Sequence, residues 1–173
     1  KGGASAQRIG ALDGLRAVAI IGVVLYHLRP SVLTGGFLGV TVFLVITGFL
    51  ATRSVTSALD RETFSYGGYL LKRVVRLLPP VLAIVALTAL GTYLVSPSLL
   101  PKVQADALPG SLFFGNWSYI FRQVPYFQAA GLPSPLTHLW YLGVVMQFYV
   151  VWPLVLMAIW RTARTSRGAR RRG

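Results

Sequence analysis

No cysteine occurs among the 173 residues, which excludes disulfides, a thiolate nucleophile and a cysteine-held metal. Charge is also scarce. Charged residues make up 12% of the chain, with four acidic side chains and two histidines in all. The balance is apolar, with 54% hydrophobic residues and a mean hydropathy of +0.62, the composition of a membrane protein. No small-x-small cleavage site follows the first apolar stretch and three more apolar stretches do, so that stretch reads as a retained helix and not a signal peptide. No internal repeat is found.

What is present organises around length. A hydrocarbon core of ~30 Å takes about 20 helical residues to cross. Four stretches qualify, Leu12 to Leu28, Leu33 to Ala51, Leu77 to Val95 and Leu142 to Trp160. Pro79, Pro80 and Pro153 lie near their ends or invite kinks. Ser96 to Thr137 is long for a structureless connection. Within it Ala107 to Phe121 is apolar and aromatic but too short to span, which predicts a re-entrant or interfacial helix. Asn116-Trp-Ser118 fits a glycosylation sequon, a pattern too short to carry weight. The expected class is all-α, an integral membrane helical bundle of about four transmembrane helices plus that short one. Residues 1–10 read as a disordered cytoplasmic leader, 11–160 as the transmembrane domain and 161–173 as a basic cytoplasmic tail.

The net charge of +13 encodes orientation more than a partner. With the amino terminus in the cytoplasm, that side holds Lys1, Arg8, Arg16, Arg53, Arg61, Lys72, Arg73, Arg76 and six tail arginines. The outer side keeps Arg29, Lys102 and Arg122. Fourteen against three places both termini in the cytoplasm. The tail also suits anionic lipid headgroups. Nucleic acid is not expected, because no aromatic stacking platform accompanies the basic residues.

Polar groups inside the apolar stretches are costly and by default mark function. Arg16 and His27 are eleven residues apart, which on a helix returns to within roughly 20° of the same face, ~16 Å along the axis. A fixed cation and a titratable imidazole would share one face. The competing account is that Arg16 snorkels and His27 marks the opposite boundary. Asp13, three residues before Arg16, is within pairing reach. Gly39, Thr47 and Gly48 are small residues suited to close helix packing. Arg73 and Arg76 share a helix face and suit phosphates by paired hydrogen bonds, or serve as ordinary positive-inside anchors. Gln147, an amide in an apolar span, requires a partner, and His138 stands near the outer edge of the same helix.

These residues also form an ordered series. Ala11-Leu-Asp-Gly-Leu-Arg16 leads to His27, followed by Gly36-Phe-Leu-Gly-Val40 and Ile46-Thr-Gly-Phe-Leu50. Arg73-Val-Val-Arg-Leu-Leu-Pro79, Asn116-Trp117, Leu136-Thr-His-Leu-Trp140 and Gln147-Phe-Tyr-Val-Val-Trp-Pro153 complete it. In order and spacing, from about residue 9 to 160, the chain resembles the amino-terminal part of the acyltransferase family 3 membrane proteins. That family includes bacterial O-acetyltransferases of peptidoglycan, lipopolysaccharide and other envelope glycans. The resemblance implies acyl transfer from acyl-CoA, usually acetyl-CoA, to a sugar hydroxyl, in the bacterial inner membrane. It makes His27 the general base or transient acyl acceptor. It makes Arg16 the group that orients the donor or stabilises developing charge, and Arg73 and Arg76 the holders of CoA phosphates. No bound cofactor or metal is expected. The partners implied are acyl-CoA, a glycan or lipid-linked sugar acceptor, membrane lipids, and further transmembrane spans or a second chain.

The chain departs from that family at Thr41, often an aspartate, and Thr47, often a serine. Val145 and Met146 stand where one or two glutamates are usual, and family members generally carry about ten spans. The alternative is therefore a truncated or degenerate relative acting as a non-catalytic membrane accessory or binding protein. An unrelated small structural membrane protein is the third reading, which the ordered blocks disfavour.

Overall fold

The computed structural model describes residues 10–29, 31–124 and 132–170, with side chains to residue 165. Residues 1–9 of the expected leader, the end of the tail and part of the outer segment lie outside the described residues, while Gly10, the leader's last residue, opens the first helix. Among those described there are six α-helices and no strand: α1 (Gly10–Leu28), α2 (Leu38–Asp60), α3 (Tyr66–Val95), α4 (Leu100–Ser111), α5 (Gly115–Phe121) and α6 (Trp140–Arg170). Helices α1, α2, α3 and α6 are long and apolar enough to cross a membrane. The chain is an all-α, multi-pass membrane protein.

Sequence and structure agree on the number of spans and differ on their ends. Helix α2 begins after a 3₁₀ turn at Thr34–Phe37 and continues past Ala51 to Asp60. Helix α3 starts eleven residues before Leu77, where the Ser65 side chain accepts from the backbone N–H of Gly68 at 3.3 Å, an N-cap that satisfies one otherwise orphaned donor. It runs unbroken through Pro79 and Pro80. Helix α6 likewise passes through Pro153 and on past Trp160, so the first part of the basic tail is helical. The apolar segment predicted as one short helix is two. They are separated at Leu112–Phe114, where Phe113 takes a left-handed φ of 57°.

The chain divides into two compact units, residues 1–54 and 55–173. In the first, α1 crosses the 3₁₀ turn and the start of α2 on small residues. A Cβ on Gly39 would lie 2.5 Å from the Ala19 carbonyl oxygen and 2.7 Å from Val23 Cγ2, and one on Gly36 would overlap the Gly22 carbonyl. Backbone contact this close is possible only without side chains.

The second unit has two apolar clusters. Val55, Leu59 and Tyr69 are buried with Tyr149, Leu156 and Trp160 packed against them, joining the end of α2, the start of α3 and α6. At the other end of α3, Val103 of α4 is buried with Leu136 and Leu139, against Val85 and Ala89. A hydrogen bond from the Tyr66 hydroxyl to the Val150 carbonyl (3.0 Å) adds a polar tie between α3 and α6.

Candidate functional site

In the first unit, Asp13, Arg16 and His27 all lie on α1. The Arg16 guanidinium is 3.7 Å from the Asp13 carboxylate, the pairing that the i, i+3 spacing predicts. Both groups are substantially exposed, so this pair orients Arg16 more than it stabilises the helix. At the other end of α1, His27 Nδ1 is 2.8 Å from the Val23 carbonyl oxygen. A carbonyl only accepts, so Nδ1 carries the hydrogen and donates. The lone pair of the neutral ring is therefore on Nε2. The ring is exposed, and the Tyr26 ring stands edge-on to it at 5.6 Å. Tyr26 in turn packs edge-on to Phe37 at 5.9 Å. The imidazole is thus held in one tautomer by its own helix, with the basic nitrogen turned away from that bond.

In the second unit, Arg73 is half-buried and its guanidinium carbon sits 3.6 Å above the centre of the Tyr69 ring, with the Tyr149 ring at 5.5 Å. Its Nη1 donates to the Tyr69 carbonyl at 3.3 Å. The aromatic pair fixes the guanidinium plane, and the remaining N–H edges stay available. Arg76 and Lys72 are exposed. The two arginines therefore differ in kind, Arg73 held against two rings and Arg76 exposed. Tyr69 itself is buried, and its hydroxyl has no hydrogen-bond partner among the described residues.

Gln147 has the partner its burial requires. Its amide and that of Asn116 bond reciprocally, Asn116 Nδ2 donating to Gln147 Oε1 at 3.2 Å and Gln147 Nε2 donating to Asn116 Oδ1 at 3.0 Å. Gly143 leaves room for this pair, since a Cβ there would overlap Asn116 Oδ1. The sequon asparagine is thus engaged in pinning α5 to α6. His138 is exposed in the 3₁₀ turn Thr137–Leu139. Val145 and Met146, where the resemblance leads one to expect carboxylates, are both buried.

One constellation was not singled out in the sequence. Asp106 of α4 is 5% exposed. It accepts from the Tyr119 hydroxyl at Oδ2 (2.6 Å) and forms an ion pair with Arg122 at Oδ1. Burial, and then the hydrogen bond to Asp106, push the Tyr119 phenol well above its ordinary range, against a smaller opposing influence of Thr137. The signal in the sequence was an acid in an otherwise apolar outer segment, with Tyr119 and Arg122 spaced to share a helix face. These groups line a cavity of about 320 Å³ together with Pro101, Lys102 and Thr137. No cluster of histidine and carboxylate side chains able to hold a metal occurs among the described residues.

Comparison with known proteins places this arrangement. The acyltransferase domain family matches residues 9–168. The chain is 35% identical over 154 residues to the peptidoglycan O-acetyltransferase OatA of Listeria monocytogenes, covering 88% of this chain and 25% of that protein. It is 38% identical over 153 residues to the O-acetyltransferase OatA of Staphylococcus aureus, again 88% of this chain and 25% of the relative. The chain thus spans about a quarter of the length of these curated relatives. No solved structure matches it.

Proposed function

The chain belongs to the acyltransferase family, and from that premise we propose that it is a membrane O-acyltransferase unit. It moves an acetyl group from acetyl-CoA to a sugar hydroxyl of a cell-envelope glycan, peptidoglycan being the glycan named for its relatives. The observation that carries this reading is the fixed tautomer of His27, which presents Nε2 as a base or nucleophile.

The chemistry follows from that nitrogen. As an acyl acceptor, Nε2 attacks the thioester carbonyl. The C–S bond breaks with its electron pair leaving on sulfur, giving the CoA thiolate and an N-acyl imidazolium that keeps its Nδ1 hydrogen. The sugar oxygen then attacks the same carbonyl, its proton passes to solvent or to the imidazole, and the C–N bond breaks to return His27. As a general base, Nε2 instead takes the sugar proton while the oxygen attacks the thioester directly; the C–S bond breaks with its electron pair on sulfur, and the imidazolium returns the proton to the CoA thiolate. In either route the carbonyl oxygen gains negative charge; Arg16, three turns from His27 on α1 and paired back to Asp13, can orient the donor but cannot touch that oxygen.

Arg73, braced by Tyr69, and the exposed Arg76 would hold the CoA phosphates. The fourteen-to-three charge asymmetry supports an inner-membrane orientation with both termini cytoplasmic. That orientation sets the arginine pair and Arg16 on the donor side and His27 toward the acceptor side.

A second reading is favoured by one observation. Val145 and Met146 are buried and apolar, so no carboxylate is available there to move a proton, as a non-catalytic accessory relative would show. Release of CoA thiol from acetyl-CoA by the reconstituted chain, in the presence of glycan acceptor, separates the two. The enzyme reading expects turnover that falls at least about a hundredfold in His27→Ala. The accessory reading expects none in either protein.

A further inference from the structure

We propose that the charge-free run of α6, together with the arginines at its end, is a seat for one anionic phospholipid. The proposal does not depend on acyl transfer.

The run supplies the apolar half of the seat. Leu142 to Trp160 carries no charged residue and rises ~28 Å, about the thickness of a hydrocarbon core. One side of it faces protein, where Leu156, Met157 and Trp160 pack against Val55, Leu59 and Tyr69. On the other side Val151, Leu154, Val155 and Ile159 are exposed. They fall within about 140° of one another around the helix, a continuous stripe open to acyl chains.

Charge resumes at Arg161, in line with that stripe. Arg161 falls within about 20° of Leu154 and ~10 Å further along the axis. Apolar surface followed by a cation is the order of a phospholipid, chains and then phosphate. Confinement of positive charge to one side of a membrane accounts for the presence of these arginines but not for this alignment.

The state of the neighbouring charges selects the headgroup. Arg164 is already held, its Nη1 2.6 Å from the Glu62 carboxylate and its guanidinium carbon 4.5 Å from the centre of the Trp160 ring. The Trp160 indole N–H donates to Asp60 at 3.3 Å. These contacts dock the turn between α2 and α3 onto the end of α6. They bring Arg61, which lies between Asp60 and Glu62 in the chain, to the same place. Arg61 and Arg161 are exposed, and neither side chain has a partner among the described residues. Both acids nearby hold a partner, whereas two guanidiniums do not. That imbalance suits a phosphodiester of net negative charge. A zwitterionic headgroup would bring a second cation into a site that is already positive.

The test is native mass spectrometry of the full chain in detergent, titrated with phosphatidylglycerol or with phosphatidylcholine of the same acyl chains. Circular dichroism confirms that each variant keeps its helix content. The expected result is one phosphatidylglycerol bound at least about tenfold tighter than phosphatidylcholine. Affinity falls about fivefold for each arginine removed, so Arg61→Gln/Arg161→Gln loses the preference. Glu62→Gln, which releases Arg164, binds more tightly than wild type. Arg29→Gln, the same loss of charge at an exposed position on the first unit, binds as wild type does. Equal binding of the two lipids, an unaltered double variant, no gain in Glu62→Gln, or an equal loss in Arg29→Gln would each overturn the proposal. Displacement of the lipid by acetyl-CoA would also overturn it, by moving the lipid to the Arg73 and Arg76 pair. Displacement by inorganic phosphate would make the site one for a free anion, and a lipid-free dimer would make the stripe a contact between copies.

Discussion

His27 and Tyr119 are polar side chains whose hydrogen is fixed by one neighbour, and in both cases that neighbour determines what the group can do. For His27 it is a carbonyl of the same helix, so the basic nitrogen is set by α1 alone. For Tyr119 it is the buried carboxylate of Asp106, and burial together with that hydrogen bond holds the phenol protonated. That second case has a consequence for stability. A phenol whose folded-state value is raised contributes fully below the unfolded value of 10.0 and loses that contribution as pH rises through the folded value. Thermal unfolding in detergent should therefore fall off above about pH 10, and Tyr119→Phe should flatten that alkaline loss. The same variant should be less stable by about 1–3 kcal/mol at neutral pH, because Asp106 Oδ2 loses its donor. An unchanged alkaline slope would contradict this. At this scale the Asp13–Arg16 pair was legible from spacing, because i and i+3 are neighbours on any helix. The Asn116–Gln147 pair was legible only by half. A buried amide announces that it needs a partner but not which of many distant residues supplies it.

At the scale of elements, the sequence located the apolar centres of the spans better than their ends. Hydrophobic runs mark what the bilayer requires, whereas helix ends depend on local caps and on packing. Ser65 extends α3 well upstream of its apolar run, and helical prolines at 79, 80 and 153 do not break their helices, since membrane helices tolerate them. The split between α4 and α5 hinges on Phe113 at positive φ, a conformation that no residue preference signals for phenylalanine. The contact between α1 and the start of α2 is the clearest case of small residues with a stated purpose. Gly39→Leu should destabilise the chain by about 1–3 kcal/mol, because a backbone oxygen opposite cannot move aside as a side chain can. Gly35→Ala, where a Cβ meets nothing within 4 Å, should stay within about 0.5 kcal/mol. Thermal midpoints of the two variants check this, and equal shifts would contradict the packing described.

For the whole molecule, the ordered sequence blocks over residues 9–160 identified the family, and the match over residues 9–168 agrees with them. The proposed function has two supports of different kind: a His27 ring whose Nε2 is left free of the bond to Val23, and an Arg73 guanidinium braced by Tyr69 and Tyr149. The bracing of Arg73 was not legible in the sequence, because Tyr149 lies 76 positions away and only folding brings it to the guanidinium. The measurement that bears most directly on the account is acetyl-CoA binding to the purified chain, comparing wild type with His27→Ala and with Arg73→Ala/Arg76→Ala. The account predicts that wild type and His27→Ala bind alike while the double variant loses at least about tenfold in affinity, as expected when charge-assisted contacts to phosphate are removed. Equal binding by all three proteins, or no binding by wild type, would contradict it.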